Sequence, residues 1–278
     1  MNLLARINRF VLTYLEVFKS FKRFSLWMPF LVYALLQIVV LSLLVCFASP
    51  PLSTVLVPIF KKAYGEAVLH YPLFFIFLPT IFSTTSVIIG LVFGVVLDGA
   101  AVYMFCSHFS GKRVSFASGF RSALSKYWML LLLGVLKLPV IWIMKIPFWL
   151  LKDVAAGSPK REFALGIGCI ALGVIYTGVF VYATPEVIWR NRKIFEAIGS
   201  AWKIFSRSFV STFLFIFVPL MINLPVNFLK GQSRVLIARF NPEVIAWIVV
   251  LGVALSILIN YLSLGTISRF YLEEEPAE

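Results

Sequence analysis

Three polar side chains interrupt long apolar runs in this sequence: Asp98, Lys137 and Asn260. The run 72–97 before Asp98 carries no ionisable side chain. A carboxylate at the centre of a bilayer costs about 3 kcal/mol on insertion scales, so it is expected to face a counter-charge or a wet cavity. Lys137 supplies a counter-charge and Asn260 an amide that can both donate and accept. Two chemistries fit this intramembrane polar cluster. One is a structural ion pair held by an amide. The other is a binding site for an ion or a small polar substrate. Lys137 can also satisfy itself alone, by running its long stem toward the headgroups.

These residues must be positioned by apolar helices. Of the residues, 61% are hydrophobic and 13% charged, and mean hydropathy is +0.96. A soluble domain carries about 25% charged residues, so most of this chain is not built to face water. Apolar runs of about 20 residues can cross a bilayer as helices. Six such runs are predicted, at 27–47, 80–106, 127–147, 163–182, 208–228 and 244–270. The fold class expected is an all-α membrane protein, one polytopic domain over residues 1–278. Pro72 and Pro79 place the straight part of the second span after residue 79. Counting about 1.5 Å per residue from the span ends brings Asp98, Lys137 and Asn260 to one depth.

Basic stretches with an apolar stripe precede three of the spans, at 3–23, 115–126 and 194–207. In the first, Ile7, Val11, Tyr14, Phe18 and Phe21 recur at helical spacing. In the second, the stripe is Phe116, Phe120, Ala123, Leu124 and Tyr127, with Ser115 as the N-cap. In the third it is Ile194, Ile198, Trp202, Phe205 and Phe209. Such helices either lie in the membrane interface, apolar face down, or extend the following span into the cytoplasm. Trp27 and Met28 correspond to Trp128 and Met129. The likeness of the three junctions fits an internal three-unit repeat, and equally a generic interface-to-span junction.

Lys and Arg concentrate on the side that holds the N-terminal stretch, the 107–126 connection and the 183–207 connection. By the positive-inside rule both termini are expected in the cytoplasm, and a bacterial inner membrane fits this layout. The formal net charge of +13 is spread along membrane margins. Anionic lipid headgroups are therefore the expected partner, at Arg23, Arg121, Lys126, Lys203 and Arg207, rather than nucleic acid. A protein partner or homo-oligomer is compatible with the same layout. The N-terminal residues lack the compact apolar core and cleavage site of a signal peptide. The acidic tail, 273–275 with Glu278, is expected to be solvated.

Other signals are bland. Cys46, Cys106 and Cys169 fall within spans without metal or redox spacing. His70 and His108 form no metal-ligand pattern. There is no phosphate-binding glycine loop and no nucleophile elbow, so neither an enzymatic activity nor a cofactor is expected. Lys137-Leu138-Pro139 recurs as Lys145-Ile146-Pro147, followed by Lys152. That repeat reads as a helix kinked at Pro139, or as a lysine-lined anion path. Pro219, Asn223, Pro225 and Asn227 mark the fifth span as kinked.

The segment 182–209, YATPEVIWRNRKIFEAIGSAWKIFSRSF, resembles a recurring stretch of bacterial six-helix membrane proteins. These are related to the membrane domain attached to some glycerophosphodiester phosphodiesterases. In them a span ends near a proline and a short amphipathic helix leads into the next span. Pro185, Glu196, Ala197 and Ile198 fit that layout, and 118–126 fits its companion. The resemblance implies the six-helix layout and no catalytic residues. The expected function is a non-enzymatic envelope or lipid-associated accessory protein. The alternative is a small transporter or channel using Asp98.

Overall fold

The computed structural model describes residues 3–143, 146–155 and 158–274, with side chains undescribed at 3–7, 141, 148, 152–155 and 159. Lys145, Glu275 and Glu278 lie outside the described residues, as do the side chains of Ile7 and Lys152. Every regular element among the described residues is helical. In chain order these are α1 (Leu3–Ser20), α2 (Met28–Val45), α3 (Leu52–Tyr64), α4 (Leu73–Ile89), α5 (Val95–Phe109), α6 (Phe116–Leu124), α7 (Tyr127–Lys137) and α8 (Val140–Ile143). Then come α9 (Ile146–Ala155), α10 (Pro159–Val181), α11 (Ala183–Ile188), α12 (Ile194–Arg207), α13 (Phe209–Met221), α14 (Leu224–Gly231), α15 (Ser233–Arg239) and α16 (Val244–Glu274).

Among the described residues, four helical stretches are long and apolar enough to cross a membrane: Phe24–Val45, Leu73–Phe109, Lys160–Ile188 and Val244–Glu274. A fifth exists if α12 and α13, bent by 94° at their junction, count as one span. The expected third span is interrupted at Pro139, between α7 and α8, and α9 follows the undescribed residues. Proline lacks an amide hydrogen and clashes with the preceding turn, so it opens a helix more readily than it continues one. The expected fifth span is shortened for the same reason. It ends at Met221, and Pro225 sits in the first turn of α14. The second span is longer than expected. Its helix starts at Leu73 and carries Pro79 inside, and a π-helical turn, Gly90–Gly94, joins α4 to α5.

The chain divides into two compact units. The first comprises Met1–Pro29, Val95–Leu220 and Asn260–Glu278. Its core holds Phe105, Tyr182, Phe215, Phe270 and Tyr271, all fully buried. The second comprises Phe30–Gly94 and Met221–Ile259. Phe47 stacks on Phe74 at 4.4 Å there, with Val68, Leu78 and Ile245 buried alongside.

In the three basic helices compact or polar side chains are the most deeply buried. Several bulky apolar ones stay exposed, while Phe10, Tyr14, Ile194, Ile198 and Ile204 pack against the core in part. On α1 the buried residues are Thr13, Val17 and Ser20, while Val11 and Phe18 of the expected stripe stay exposed. Thr13 bonds to the Arg9 carbonyl and Ser20 to the Val17 carbonyl and the Tyr261 hydroxyl, so these small polar residues are satisfied inside. Val17 can then approach Gly265 closely, where a Cβ would stand 2.9 Å from it. On α6, Gly119 and Ala123 are buried against α5, and Phe120 and Leu124 are exposed. On α12, Ala197 and Ala201 are buried and Trp202 is exposed. Phe205 is bulky and also buried, against Gly178. Close approach through small residues is how helices associate when no water is expelled between them.

Within the acidic end, Glu273 and Glu274 are helical and ion-paired: they complete the last turn of α16 and pair with Arg9 of α1.

Candidate functional site

Asp98 sits in the first turn of α5, just after the π-helical turn. The next residue, Gly99, is buried so tightly that a Cβ there would stand 2.8 Å from Leu130 of α7. That contact fixes α5 against α7, whose last turn carries Lys137. Lys137 follows a run of apolar residues in α7, and a cation suits the negative end of a helix. Asp98 and Lys137 act on each other electrostatically. Among the described residues they form no ion pair within hydrogen-bond reach. Neighbouring helices crowd Asp98, yet its residue surface remains accessible. Asn260 on α16 is half-buried and makes no side-chain hydrogen bond to either residue among those described. Asp98 and Lys137 are therefore brought within electrostatic range of each other, and among the described residues no hydrogen bond ties the Asn260 side chain to them.

A second polar centre lies at α11, which is buried along its whole length. Ser200 on α12 donates to Glu186 Oε1 at 2.6 Å, and Arg192 Nη1 stands 3.3 Å from Glu186 Oε2. The Arg192 amide also donates to the Glu186 carbonyl at 3.2 Å. Helix ends leave their last carbonyls without partners. Here Lys126 Nζ donates to the carbonyls of Val187 at 2.7 Å and Ile188 at 3.0 Å, and to the Asn191 side chain. Burial holds the Lys126 ammonium below the ordinary lysine range. Asn191 takes a left-handed backbone (φ 59°), which asparagine tolerates better than most residues. Lys112 sits 4.7 Å over the Trp189 ring. A sealed carboxylate, neutralised by arginine and donated to by serine, fixes a turn. Oε1 accepts from Ser200, while Oε2 faces Arg192 across the ion pair without a hydrogen bond.

No family model, curated protein or solved structure matches this chain.

Sequence reading passed over Glu186 because it follows an apolar run on a short helix. Its partner Arg192 lies beyond the helix end, where no 3.6-residue spacing connects them. Of the basic residues expected to meet headgroups, Arg23, Arg121, Lys203 and Arg207 are exposed. Lys126 turns inward to the α11 carbonyls.

Proposed function

We propose that this chain is a non-enzymatic integral membrane protein acting as a lipid-associated accessory or scaffold factor of the cell envelope. In this reading six segments enter the membrane, the broken third and fifth included. Helices α1, α6 and α12 lie at the cytoplasmic surface, both termini are cytoplasmic, and the membrane is a bacterial inner membrane. The resemblance to six-helix proteins related to the phosphodiesterase-linked membrane domain agrees with this layout. The three junctions are read as copies of one unit.

The observation that carries the reading is the outward face of the three basic helices. Phe120, Leu124 and Trp202 are exposed beside Arg121, Lys203 and Arg207. Apolar rings next to exposed cations suit a lipid interface. The test is the protein reconstituted into sealed liposomes loaded with a fluorescent ion indicator. An accessory protein leaves them sealed. Ion or solute flux that disappears in Asp98→Asn would overturn the reading.

That outcome would favour the second reading, a small transporter or channel. Its support is the accessible surface of Asp98 beside Lys137, since a wet crevice is where an intramembrane carboxylate does work.

A further inference from the structure

A cleft of about 430 Å³ opens at the bend between α12 and α13. Its polar wall is made by Arg207, Ser208 and Ser211, with Arg9 and Glu274 opposite. Phe209, Val210 and Phe270 supply the apolar wall. Ser206 also lines the cleft, but its hydroxyl turns back to the Lys203 carbonyl. Ser208 and Ser211 differ: among the described residues neither hydroxyl has a hydrogen-bond partner. Arg207 is exposed and forms no ion pair among those residues. The amides of Phe209, Val210 and Ser211 precede the first backbone bond of α13, donated by Thr212 to Ser208. The cleft thus gathers one uncommitted guanidinium, two free hydroxyls and the donor end of a helix. Arg9 uses its Nε and Nη1 on Glu273 and Glu274, and a guanidinium has five donor hydrogens, so part of it remains available.

We infer that this cleft binds the phosphodiester headgroup of an anionic membrane lipid. The inference rests on the membrane-interface reading above, which puts the α12–α13 bend at headgroup depth. The donors match phosphate oxygens, which arginine and backbone amides recognise together. Glu274 narrows the choice of ligand. A free phosphate or phosphomonoester carries about −1.5 to −2 at neutral pH, and a carboxylate on the wall repels that more than the single charge of a diester. Phe209, Val210 and Phe270 give the glycerol and upper acyl carbons an apolar surface, which a free phosphate cannot use.

The test uses the full chain in an uncharged detergent, titrated with dioctanoyl phosphatidylglycerol, dioctanoylglycerol or inorganic phosphate. The phosphatidylglycerol is expected to bind saturably, and dioctanoylglycerol and inorganic phosphate far more weakly. Arg207→Ala and the pair Ser208→Ala/Ser211→Ala should each weaken phosphatidylglycerol binding at least about tenfold. Lys62→Ala, exposed and outside the cleft, should bind like the wild type. Equal loss in Lys62→Ala means diffuse charge attraction and overturns the site. Equal binding of dioctanoylglycerol, or of inorganic phosphate, overturns the assignment to a lipid phosphodiester. All three variants change residues with exposed or unpartnered side chains. Melting temperatures within a few degrees of wild type will show that lost binding is not lost folding. The lipid is offered in micelles, so a negative result here leaves the liposome test of the accessory role independent.

Discussion

Arg9 Nε donates to Glu273 Oε2 at 2.9 Å, joining residues 264 positions apart in the sequence. Its Nη1 engages Glu274, and its guanidinium lies 4.5 Å over the Phe270 ring. Arg269 adds contacts to Glu16 on α1 and to Glu273 at 3.0 Å. Partial burial would lower the Arg9 pKa, but the two carboxylates more than offset it and raise the pKa. The first helix is thus clasped to the last by a charge network. Partly exposed pairs contribute about 0.2–1 kcal/mol each, so Arg9→Glu should destabilise the protein by about 1–2 kcal/mol once solvent screening is allowed for. The change should shrink in high salt. Combining it with Glu273→Arg should restore part of the loss. Thermal unfolding in uncharged detergent at two salt concentrations checks this, and salt-independent losses would rule the network out.

Glu186 allows a sharper separation of charge from hydrogen bonding. Removing one member of a buried ion pair typically costs about 3–5 kcal/mol. The Arg192 side chain is 32% exposed, so water relieves part of that, and Glu186→Ala should lose about 2–4 kcal/mol. Glu186→Gln keeps an acceptor for Ser200 and should lose less, about 1–2 kcal/mol. If the two variants melt together, the carboxylate charge contributes nothing and the packing of α11 carries the effect.

Lys126 closes the same turn from the other side. Replacing it by Met leaves the Val187 and Ile188 carbonyls without their donor. A buried acceptor left unsatisfied costs about 1–3 kcal/mol. The folded pKa of Lys126 is below the ordinary 10.5 because burial disfavours the charged form. Between the two values the unfolded chain binds the proton more tightly, so stability rises with pH there. The contribution is complete above 10.5 and is lost as pH falls through the lowered value. Unfolding curves between pH 8 and 11, about the lysine range, should slope upward in the wild type and flatten in Lys126→Met.

Helical content and the apolar segments were legible because they depend on composition and on runs longer than about 18 residues. The interruptions were partly legible. Pro139 and Pro225 stand where helices restart, yet Pro79 lies inside one, since neighbouring groups can satisfy the carbonyl that a proline frees. Facing direction was only partly legible. The stripe Val11, Tyr14, Phe18 and Phe21 read as a face turned to the membrane interface. Val11 and Phe18 are exposed, but Tyr14 packs on Phe215 and Phe21 on Tyr261, and Thr13, Val17 and Ser20 are buried. Hydrophobic periodicity finds the face that avoids water, and in lipid that face need not be the one that meets protein. Counting depth along neighbouring helices puts Asp98 and Lys137 at one level and says nothing of whether their side chains meet. The Glu186–Arg192 pair depends on how the chain turns after α11, which no spacing encodes.

Asp98 and Lys137 can be tested as a pair by a double-mutant cycle. Each sits in a helix of the same compact unit and feels the other's charge. Asp98→Asn and Lys137→Met should each destabilise, because each leaves the other's charge unopposed in apolar surroundings. The double variant should lose less than the sum, with a coupling of about 0.5–3 kcal/mol. Strictly additive losses would mean that the two charges are satisfied separately, Lys137 by reaching the headgroups.

Gly178 and Gly199 form a matched pair for the close packing of α10 and α12. A Cβ at Gly178 would stand 2.6 Å from Phe205 Cε2, and Phe205 is buried in the same core. Overpacking of this kind costs about 1–3 kcal/mol, while alanine recovers up to about 1 kcal/mol of helix propensity. Gly178→Ala should therefore melt earlier by a net of about 1–2 kcal/mol, and Phe205→Leu in the same chain should return much of it by shortening the obstructing ring. At Gly199 a Cβ meets nothing within 4 Å. Gly199→Ala then keeps the propensity gain alone and should stabilise by up to about 1 kcal/mol. Opposite signs at the two glycines, read in one set of unfolding curves, are what this packing requires. A neutral Gly178→Ala would mean that α10 and α12 are free to separate.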